Sequence, residues 1–245
     1  MKVVFLGATK GIGRALARLL AARGEQLFLL GRDMEDLERS ARDLEVRGAR
    51  GSVAFAACDL NDSSSFEPAL RAAEAALSGF DTVVVTGGLF ATQDNLEADA
   101  AFLEKMLDAN FTGTVLFCEA ARKRLLGRGG GTLCVFSSVA GERGRKPVVL
   151  YGASKAGLSA YLEGLDHRYR AAGLRTVCVK PGFVKTSMTE GLKPPPFAGE
   201  PEPVARLALR GIDRGTPVVY APGVWALVML VVRNLPRVVM RKVGF

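Results

Sequence analysis

The hydrophobic positions of this chain alternate between short continuous apolar runs and longer segments in which apolar residues recur at helical spacing. Short continuous runs are typical of strands that are buried on both faces. They lie at residues 2–6, 26–30, 52–57, 82–86, 132–136, 176–180 and 218–220. The helical spacing covers residues 11–23, 34–47, 65–77, 96–108, 112–126 and 151–172.

Strands that alternate with helices form a parallel sheet covered on both faces, so this pattern predicts a doubly wound α/β fold. No internal repeat or serine-rich linker divides the chain. We therefore expect one domain over residues 1–221, followed by an apolar and basic helical extension over residues 222–245.

The composition agrees with a single large core. The chain has 245 residues, of which 49% are hydrophobic, and this apolar content excludes a disordered protein. Its four cysteines have no C-x-x-C spacing and lie in apolar runs, which predicts buried, reduced thiols in a cytoplasmic protein. No targeting peptide is expected, because the strand pattern begins at residue 2.

The charge favours an anionic partner, because 33 Lys and Arg exceed 25 Asp and Glu to give a net charge of +8. This surplus does not by itself distinguish nucleic acid, phosphate and a membrane surface. Nucleic acid is not expected, because the basic residues lack neighbouring aromatic clusters and any reader motif. No cluster of residues has the spacing of metal ligands, so no metal is expected.

A glycine turn connects the first predicted strand to the first helix. Residues 7–13 read Gly-Ala-Thr-Lys-Gly-Ile-Gly, or G-x-x-x-G-x-G. Glycines at such a place permit a tight turn and let the backbone approach a pyrophosphate at the helix N-terminus. The alternative interpretation is a plain turn between strand and helix.

A second motif joins Ser138, Tyr151 and Lys155 as S-x12-Y-x3-K. Tyr151 and Lys155 are four residues apart and therefore share one helix face, where the ammonium can approach the phenol. A free phenol has a pKa of about 10, and a nearby ammonium would lower it toward a useful acid/base. The alternative is an incidental pair on a surface helix.

With both motifs, the chain resembles the short-chain dehydrogenase/reductase family from Lys2 to about Ala221. The resemblance implies a Rossmann-type domain that binds NAD or NADP and interconverts an alcohol and a carbonyl. It implies that Tyr151 is the catalytic acid/base, Lys155 its tuning cation on the nicotinamide ribose, and Ser138 the substrate-orienting residue. Asn110, in Asn-Phe-Thr-Gly, matches the asparagine that supports a water-linked proton relay.

The same resemblance implies the cofactor-binding residues. Thr186, in the segment Pro-Gly-Phe-Val-Lys-Thr, would contact the carboxamide, and Asp59 with Leu60 would contact the adenine. The full set is Gly7, Thr9, Lys10, Gly11, Ile12, Gly13, Arg32, Asp59, Leu60, Gly87, Gly88, Tyr151, Lys155, Pro181, Gly182, Val184 and Thr186. The chain departs from the family pattern at Leu6, usually threonine, and at residues 85–88, Val-Thr-Gly-Gly in place of Asn-Asn-Ala-Gly. These departures put local stability and cofactor fit in doubt.

Charge at the end of the second strand bears on the choice of cofactor. Arg32 would lie near the ribose 2′ position, and Lys10 adds a second cation, so NADP(H) is favoured over NAD. Asp33 follows directly, and an acidic residue at this place would instead suit a free 2′-hydroxyl. The alternative is that Arg32 is an ordinary solvated residue and Lys10 points outward.

Two basic segments bear on the substrate. Residues 142–146, Glu-Arg-Gly-Arg-Lys, are expected beside the substrate cleft, or else form a solvated run of charges. In the tail, residues 224–232 are apolar but too few to span a bilayer. Arg233, Arg237 and Arg241 follow on one predicted helix face, with Pro236 expected to kink or end the helix. This tail could lie in a membrane surface, or dock on the domain or a partner subunit.

These segments are also similar to the reductase subunits of the decaprenylphosphoryl-ribose 2-epimerases, which reduce a 2-keto sugar on a polyprenyl phosphate. The similarity implies a small-molecule or lipid-linked carbonyl substrate for a protein at the inner face of the membrane. The family resemblance also implies a homo-oligomer, formed through the helices that contain Asn110 and Tyr151. A non-catalytic NADP-binding regulatory or scaffold protein is the alternative function, but it would not require Asn110, Ser138, Tyr151 and Lys155 together.

Overall fold

Seven apolar segments pair into one parallel sheet in the computed structural model, which describes residues 1–242. The strands are β1 (Lys2–Leu6), β2 (Gln26–Gly31), β3 (Ala54–Ala57), β4 (Thr82–Val85), β5 (Gly131–Phe136), β6 (Leu174–Pro181) and β7 (Val218–Ala221). Their order is β3-β2-β1-β4-β5-β6-β7, and all six pairings are parallel. The predicted doubly wound α/β fold is confirmed.

Helices cover both faces of this sheet. They are α1 (Gly11–Ala22), α2 (Met34–Val46), α3 (Phe66–Leu77), α4 (Gln93–Ala98), α5 (Ala100–Leu107), α6 (Gly113–Gly127), α7 (Val149–Tyr169), α8 (Pro201–Arg214), α9 (Val224–Asn234) and α10 (Arg237–Met240). Leu16 of α1, Leu37 of α2 and Ile212 of α8 belong to one buried cluster. Residues of α3, α6 and α7 belong to the cluster on the opposite face.

The strand order reverses between β1 and β4, and this position fixes where a ligand can enter. Strands β2 and β3 lie on one side of β1, and strands β4 to β7 lie on the other side. A crevice therefore opens at the carboxyl ends of β1 and β4. The glycine turn follows β1 at this edge, and residues 86–88 follow β4.

The predicted helix over residues 96–108 is wrong, because the structure has two helices there. Asp99 is extended, with φ −129° and ψ 93°, and its carboxylate accepts a hydrogen bond from the backbone N–H of Phe102. A side chain that caps a helix N-terminus starts a new helix at that point. A five-residue π-helical turn (Asp108–Thr112) then connects α5 to α6 and carries Asn110.

The tail is two helices, so the expectation that Pro236 ends the first helix is confirmed, and the prediction that Arg233, Arg237 and Arg241 share one helix face is wrong. Leu235 precedes Pro236 and is extended, with ψ 135°, as the residue before a proline prefers. Helix α9 therefore ends at Asn234, and Arg237 begins α10 in a new direction.

Helix α9 packs on the domain. Met229 and Val232 are buried, and they form a cluster with Val139 that Trp225 and Tyr220 border. None of the helices described within residues 1–242 is both long enough and apolar enough to pass through a bilayer.

The cysteines occupy the places that the apolar pattern predicts. Cys58, Cys118, Cys134 and Cys178 are buried, and none of them forms a disulfide. Burial raises the pKa of the Cys58 thiol to about 11, so this thiol is inert at neutral pH.

Candidate active site

The glycine turn is so closely packed that two of its glycines have no room for a side chain. A Cβ on Gly13 would overlap the carbonyl oxygen of Gly7 and lie 2.6 Å from Thr86 Oγ1. Gly7 has a φ of +96°, a conformation that L side chains rarely adopt. The turn thus brings backbone, without side chains, to the first turn of α1, where an anionic phosphate is favoured.

Thr86 holds this turn in place, although it departs from the family pattern. Its hydroxyl donates to the carbonyl of Gly7 at 2.8 Å, and its backbone N–H donates to the carbonyl of Leu6 at 2.9 Å. Leu6, the other departure, is buried in the core. Both departures from the family pattern therefore fit their surroundings in this fold.

The glycine turn meets the segment after β6 across the crevice. A Cβ on Gly11 would lie 3.2 Å from Thr186 Cγ2, so these two predicted cofactor-binding positions are neighbours. Thr186 is fixed by Thr189, whose hydroxyl accepts from the Thr186 backbone N–H at 3.1 Å and donates to the Val184 carbonyl at 2.7 Å.

Asn110 is fully buried and uses its side chain to hold the chain after β4. Its amide donates to the carbonyl of Leu89 at 2.8 Å, and its Oδ1 accepts from the Leu89 backbone N–H at 2.7 Å. A Cβ on Gly88 would lie 2.9 Å from Asn110 Oδ1 and 3.6 Å from Lys155 Nζ. Gly88, Asn110 and Lys155 thus come together at the end of β4, and Gly87 lies against Leu60.

The two consecutive serines after β5 differ in burial and in hydrogen-bond partners. Ser137 is buried, donates to the carbonyl of Lys155 at 2.9 Å and bonds Ser159 at 2.7 Å, so it ties β5 to α7. Ser138 is half-buried, and its hydroxyl accepts from the Ala140 backbone N–H at 3.1 Å. Its hydroxyl also donates to the carbonyl of Pro181 at 3.5 Å. Ser138 lies beside Tyr151, where its hydroxyl favours the phenolate.

Tyr151 lies in the first turn of α7, with its ring edge-on to Phe90 at a centroid distance of 5.0 Å. Burial raises the pKa of Tyr151 to about 12, and the hydrogen bond with Ser138 opposes this increase. The expectation that the ammonium lowers this pKa is therefore wrong for the protein alone, since desolvation outweighs it. Phe90 follows no strand or helix pattern, so no sequence pattern indicated this contact.

Lys155 lies one helical turn beyond Tyr151, and its Nζ is 5.9 Å from the centre of the Tyr151 ring. The ammonium donates to the carbonyl of Phe136 at 3.1 Å, and burial lowers the pKa of Lys155 to about 8. No carboxylate within residues 1–242 forms an ion pair with it. A buried cation of this kind favours a ligand that supplies oxygen atoms.

Of the residues that follow β2, one caps the next helix and another is exposed to solvent. Asp33 caps α2, because its Oδ1 accepts from the Asp36 backbone N–H at 3.0 Å. Arg32 is exposed, whereas Lys10 pairs with Asp36 at 3.1 Å and keeps a side chain that is 66% exposed. The acidic residue that would suit a free 2′-hydroxyl is thus committed to the helix, and both cations remain accessible.

Asp59 and Leu60 follow β3 at the same edge of the sheet. The Asp59 carboxylate accepts from the Asn61 backbone N–H at 3.0 Å, which forms a tight turn after the strand. Leu60 is buried against Gly87 and closes the far end of the crevice.

Trp225 of the tail lies directly against Gly182 of the Pro-Gly segment, and a Cβ on Gly182 would overlap its indole nitrogen. The Trp225 Nε1 is buried and has no hydrogen-bond partner within the described residues 1–242. Helix α9 therefore borders one of the site's segments, which agrees with the alternative that the tail docks on its own domain.

Glu142 connects the tail to the segment after Ser138, and the sequence did not single it out from its charged run. Its side chain is 4% exposed, pairs with Lys180, and accepts from the Tyr220 hydroxyl at 3.0 Å. Arg233 of α9 lies 3.3 Å from its second oxygen. Arg143 donates to the carbonyl of Leu235 at 2.9 Å. This first part of the run is thus structural rather than solvated.

Comparisons with known proteins identify the family. Residues 1–196 match the model of the short chain dehydrogenase family. The chain is 36% identical over 244 residues to an uncharacterized oxidoreductase of Mycobacterium tuberculosis, covering 98% of this chain and 96% of that protein. The chain belongs to the short-chain dehydrogenase family. This short-chain dehydrogenase is an oxidoreductase, and the family uses a nicotinamide nucleotide as cofactor.

Two further relatives bear on activity and fold. Carbonyl reductase family member 4 of Xenopus laevis is 27% identical over 211 residues, which cover 83% of this short-chain dehydrogenase and 87% of that protein. The structure of levodione reductase aligns with a TM-score of 0.80 over 89% of this chain and 94% of that chain, at 24% identity, and shows a shared fold.

The residues present fit a nicotinamide nucleotide. The turn at Gly7, Gly11 and Gly13 leaves backbone in place of side chains where a pyrophosphate would approach, as a dinucleotide site requires. Lys155 and Thr186 lie on the opposite side of the same crevice, with oxygen-seeking groups for the ribose and carboxamide. The four predicted catalytic residues converge beside them at the carboxyl ends of β4 and β5.

Proposed function

We propose that this short-chain dehydrogenase is an NADP(H)-dependent oxidoreductase that interconverts a carbonyl and a secondary alcohol. The observation that carries the proposal is the convergence of Ser138, Tyr151 and Lys155 beside Asn110 and the glycine turn. A bound nicotinamide would exchange a hydride with the carbonyl carbon of the substrate. The chain's own residues must then bind the substrate oxygen and move a proton at it.

Tyr151 is the group suited to move that proton. During reduction its hydroxyl donates a proton to the carbonyl oxygen, and during oxidation the phenolate accepts the proton back. Since burial raises the pKa of Tyr151 to about 12, the hydroxyl is protonated at neutral pH and can act as the proton donor in reduction. Ser138, which lies beside the phenol, would hold the substrate oxygen there.

The preference for NADP(H) over NAD(H) is supported by charge. Arg32 is exposed after β2, and within residues 1–242 it forms no ion pair. A guanidinium in such a place suits bidentate binding of a 2′-phosphate. The Oδ1 of Asp33 accepts the capping hydrogen bond of α2, which directs that oxygen toward the helix N-terminus.

The non-catalytic alternative explains less of the site. A regulatory or scaffold protein needs the nucleotide site but has no use for a phenol held by a serine beside a buried ammonium. Such a buried ammonium is costly to a protein that does not use it. We therefore favour an enzyme.

For the substrate we propose a lipid-linked carbonyl compound, such as a keto sugar on a polyprenyl phosphate. The exposed Lys146 and the half-buried Arg145, whose Nε has no hydrogen-bond partner within residues 1–242, lie on the loop that leads into α7 and would attract its phosphate. The apolar tail beside Gly182 would contact its lipid. The finer similarity to the epimerase reductase subunits is part of this proposal and supports the same class.

We also propose that the protein is a cytoplasmic homo-oligomer. Leu107 and Phe111, around the π-helical turn, and Leu116 of α6 are exposed and apolar, although they lie on a well-packed helix pair. Burial of these side chains against a second copy would stabilise a dimer. Sedimentation velocity measures this directly, and a Leu116→Glu variant should dissociate the oligomer.

The experiment that tests the function is a screen of carbonyl compounds with purified protein. NADPH oxidation is measured with soluble ketones and with keto sugars on short polyprenyl phosphates, and NADH is run in parallel. We expect reduction with NADPH that a Tyr151→Phe variant lacks. Tight binding of NADPH without turnover of any carbonyl or alcohol would instead favour the non-catalytic protein.

A further inference from the structure

Helix α9 carries apolar residues on the face turned away from the domain as well as on the face that packs on it. Trp225, Met229 and Val232 contact the domain. On the other side, Leu227, Leu230 and Val231 are 68%, 54% and 62% exposed, at the i, i+3, i+4 spacing of a single stripe. Helix α10 extends this surface, with Val238 64% exposed. A helix that is apolar all round usually has a partner on each side.

The tail is also purely cationic. Residues 222–245 contain four Lys and Arg and no Asp or Glu. Arg233 is engaged with Glu142, but Arg237, Arg241 and Lys242 are exposed and form no ion pair within residues 1–242. An apolar stripe flanked by cations is the composition of a helix that lies in an anionic lipid surface.

We propose that the exposed face of α9 and α10 docks on the surface of an anionic lipid bilayer. Helix α9 has 11 residues and is about 16 Å long at 1.5 Å per residue, so it lies along the surface and does not cross the hydrocarbon core of about 30 Å. Its inner face remains held by the domain, which orients the whole protein on the membrane.

Charge selects lipid over a second copy of the chain as the occupant. In a two-fold interface the same patch faces itself, so the three free cations of one copy would meet those of the other. The tail supplies no carboxylate to compensate them. An anionic bilayer supplies both the negative charge and the apolar phase that the stripe requires.

The docking face is directly connected to the active site. Trp225 on its inner side touches Gly182, and Arg233 holds Glu142, four residues after Ser138. Docking would therefore place the mouth of the site beside the lipid. This last consequence rests on the proposed lipid-linked substrate, whereas the docking itself does not.

Co-sedimentation with vesicles tests the docking without cofactor or substrate. Full-length protein should bind vesicles of phosphatidylglycerol and phosphatidylcholine, bind pure phosphatidylcholine far less, and lose binding at high salt. Arg237→Gln/Arg241→Gln/Lys242→Gln should weaken the partition coefficient on the order of a hundredfold, at about fivefold per cation. The matched control is Arg50→Gln/Arg71→Gln/Lys123→Gln, which removes the same charge from exposed positions elsewhere and should keep most of the binding.

A second pair of variants isolates the apolar stripe. Val231→Asn should weaken binding several-fold, whereas Val46→Asn, at an 89% exposed valine of α2, should leave it unchanged. Emission of Trp225, the single tryptophan, reports whether α9 remains docked in every variant. Equal binding by both valine variants, equal binding to neutral vesicles, or self-association that Val231→Asn abolishes would each overturn the proposal. Vesicle binding without carbonyl reduction would leave docking intact and overturn only the proposed function.

Discussion

Arg233 and Glu142 form an ion pair, with 3.3 Å between Nη1 and Oε2, that joins the C-terminal helix to the segment following Ser138. Glu142 is 4% exposed and is also bonded by Lys180 and Tyr220. The tail is thereby attached to the catalytic segment by charge as well as by apolar packing. A substitution that disrupts the ion pair or the apolar packing should therefore affect both the tail and the catalytic segment.

Glu142→Gln should destabilise the protein by about 3 kcal/mol, because it leaves the buried Lys180 ammonium without its counter-charge. The midpoint of thermal unfolding should fall by roughly 6–12 °C for a domain of this size. The exposed pair of Arg42 and Glu38 gives the control, since Glu38→Gln should change stability by less than about 0.5 kcal/mol. Equal effects of the two variants would mean that the Glu142 network carries no stability.

Tyr151→Phe should reduce turnover by at least about a hundredfold while NADPH still binds, because only the proton donor is removed. The control is Tyr161→Phe, which lies further along α7 and donates to Glu119 of α6. This variant should keep turnover within a few-fold. Steady-state kinetics and a fluorescence titration of NADPH measure the two properties. Turnover of Tyr151→Phe near that of the wild type would exclude this phenol from the reaction.

Arg32→Asp should weaken NADPH more than NADH, by on the order of 1–3 kcal/mol, because a charge-assisted contact to the 2′-phosphate is lost. The control is Arg42→Asp, which makes the same charge change on the exposed side of α2 and should affect both cofactors equally. Titration of each variant with both nucleotides gives the ratio. Equal weakening of NADPH and NADH by Arg32→Asp would mean that Arg32 does not contact the phosphate.

Lys155→Met should abolish activity but stabilise the protein without cofactor at pH 7, by about 1–2 kcal/mol. Burial lowers the pKa of Lys155 from 10.5 to about 8, so the folded state disfavours the charged form, and the lost bond to the Phe136 carbonyl offsets part of the gain.

The sign of the pH dependence follows from that lowered pKa. The penalty is complete below pH 8, where Lys155 is charged in both states, and it disappears as the pH rises from about 8 to 10.5. The stability advantage of Lys155→Met should therefore shrink over this interval. Lys180→Met, which removes the partner of Glu142, should instead destabilise at pH 7. Denaturant unfolding at several pH values checks both signs, and a Lys155→Met protein less stable than the wild type at pH 7 would contradict the argument.

Gly182→Ala should displace Trp225 and impair cofactor binding, because the new Cβ overlaps the indole. Trp225→Leu removes that overlap, so Gly182→Ala/Trp225→Leu should recover part of the binding lost in the single variant. Gly164→Ala on α7, where no atom lies within 4 Å of the added Cβ, should be neutral or slightly stabilising. NADPH titration reports the binding of every variant, and Trp225 emission reports the displacement in Gly182→Ala, which keeps the indole. Without any recovery in the double variant, the packing of α9 on this segment would not matter for binding.

The sequence by itself determined the fold class and the candidate site. Apolar runs separated by helical spacing predict a parallel sheet, because strands buried on both faces are predominantly apolar. Spacing singled out Ser138, Tyr151 and Lys155, since i and i+4 positions share a helix face. Asn110 was assigned from the resemblance to the short-chain dehydrogenase family.

Only the tertiary structure decided the electrostatics of the site and the position of the tail. The pKa of Tyr151 rises where the sequence predicted a decrease, because desolvation depends on how many groups surround the phenol and spacing does not reveal that. Glu142 appeared to be one charge in a solvated run, yet it is buried by Lys180, Tyr220 and Arg233 from distant parts of the chain. The apolar run of the tail could equally have packed on lipid, a partner or its own domain, because the hydrophobic effect favours burial against any apolar surface. The fold places one of its faces against Gly182 and leaves the other exposed.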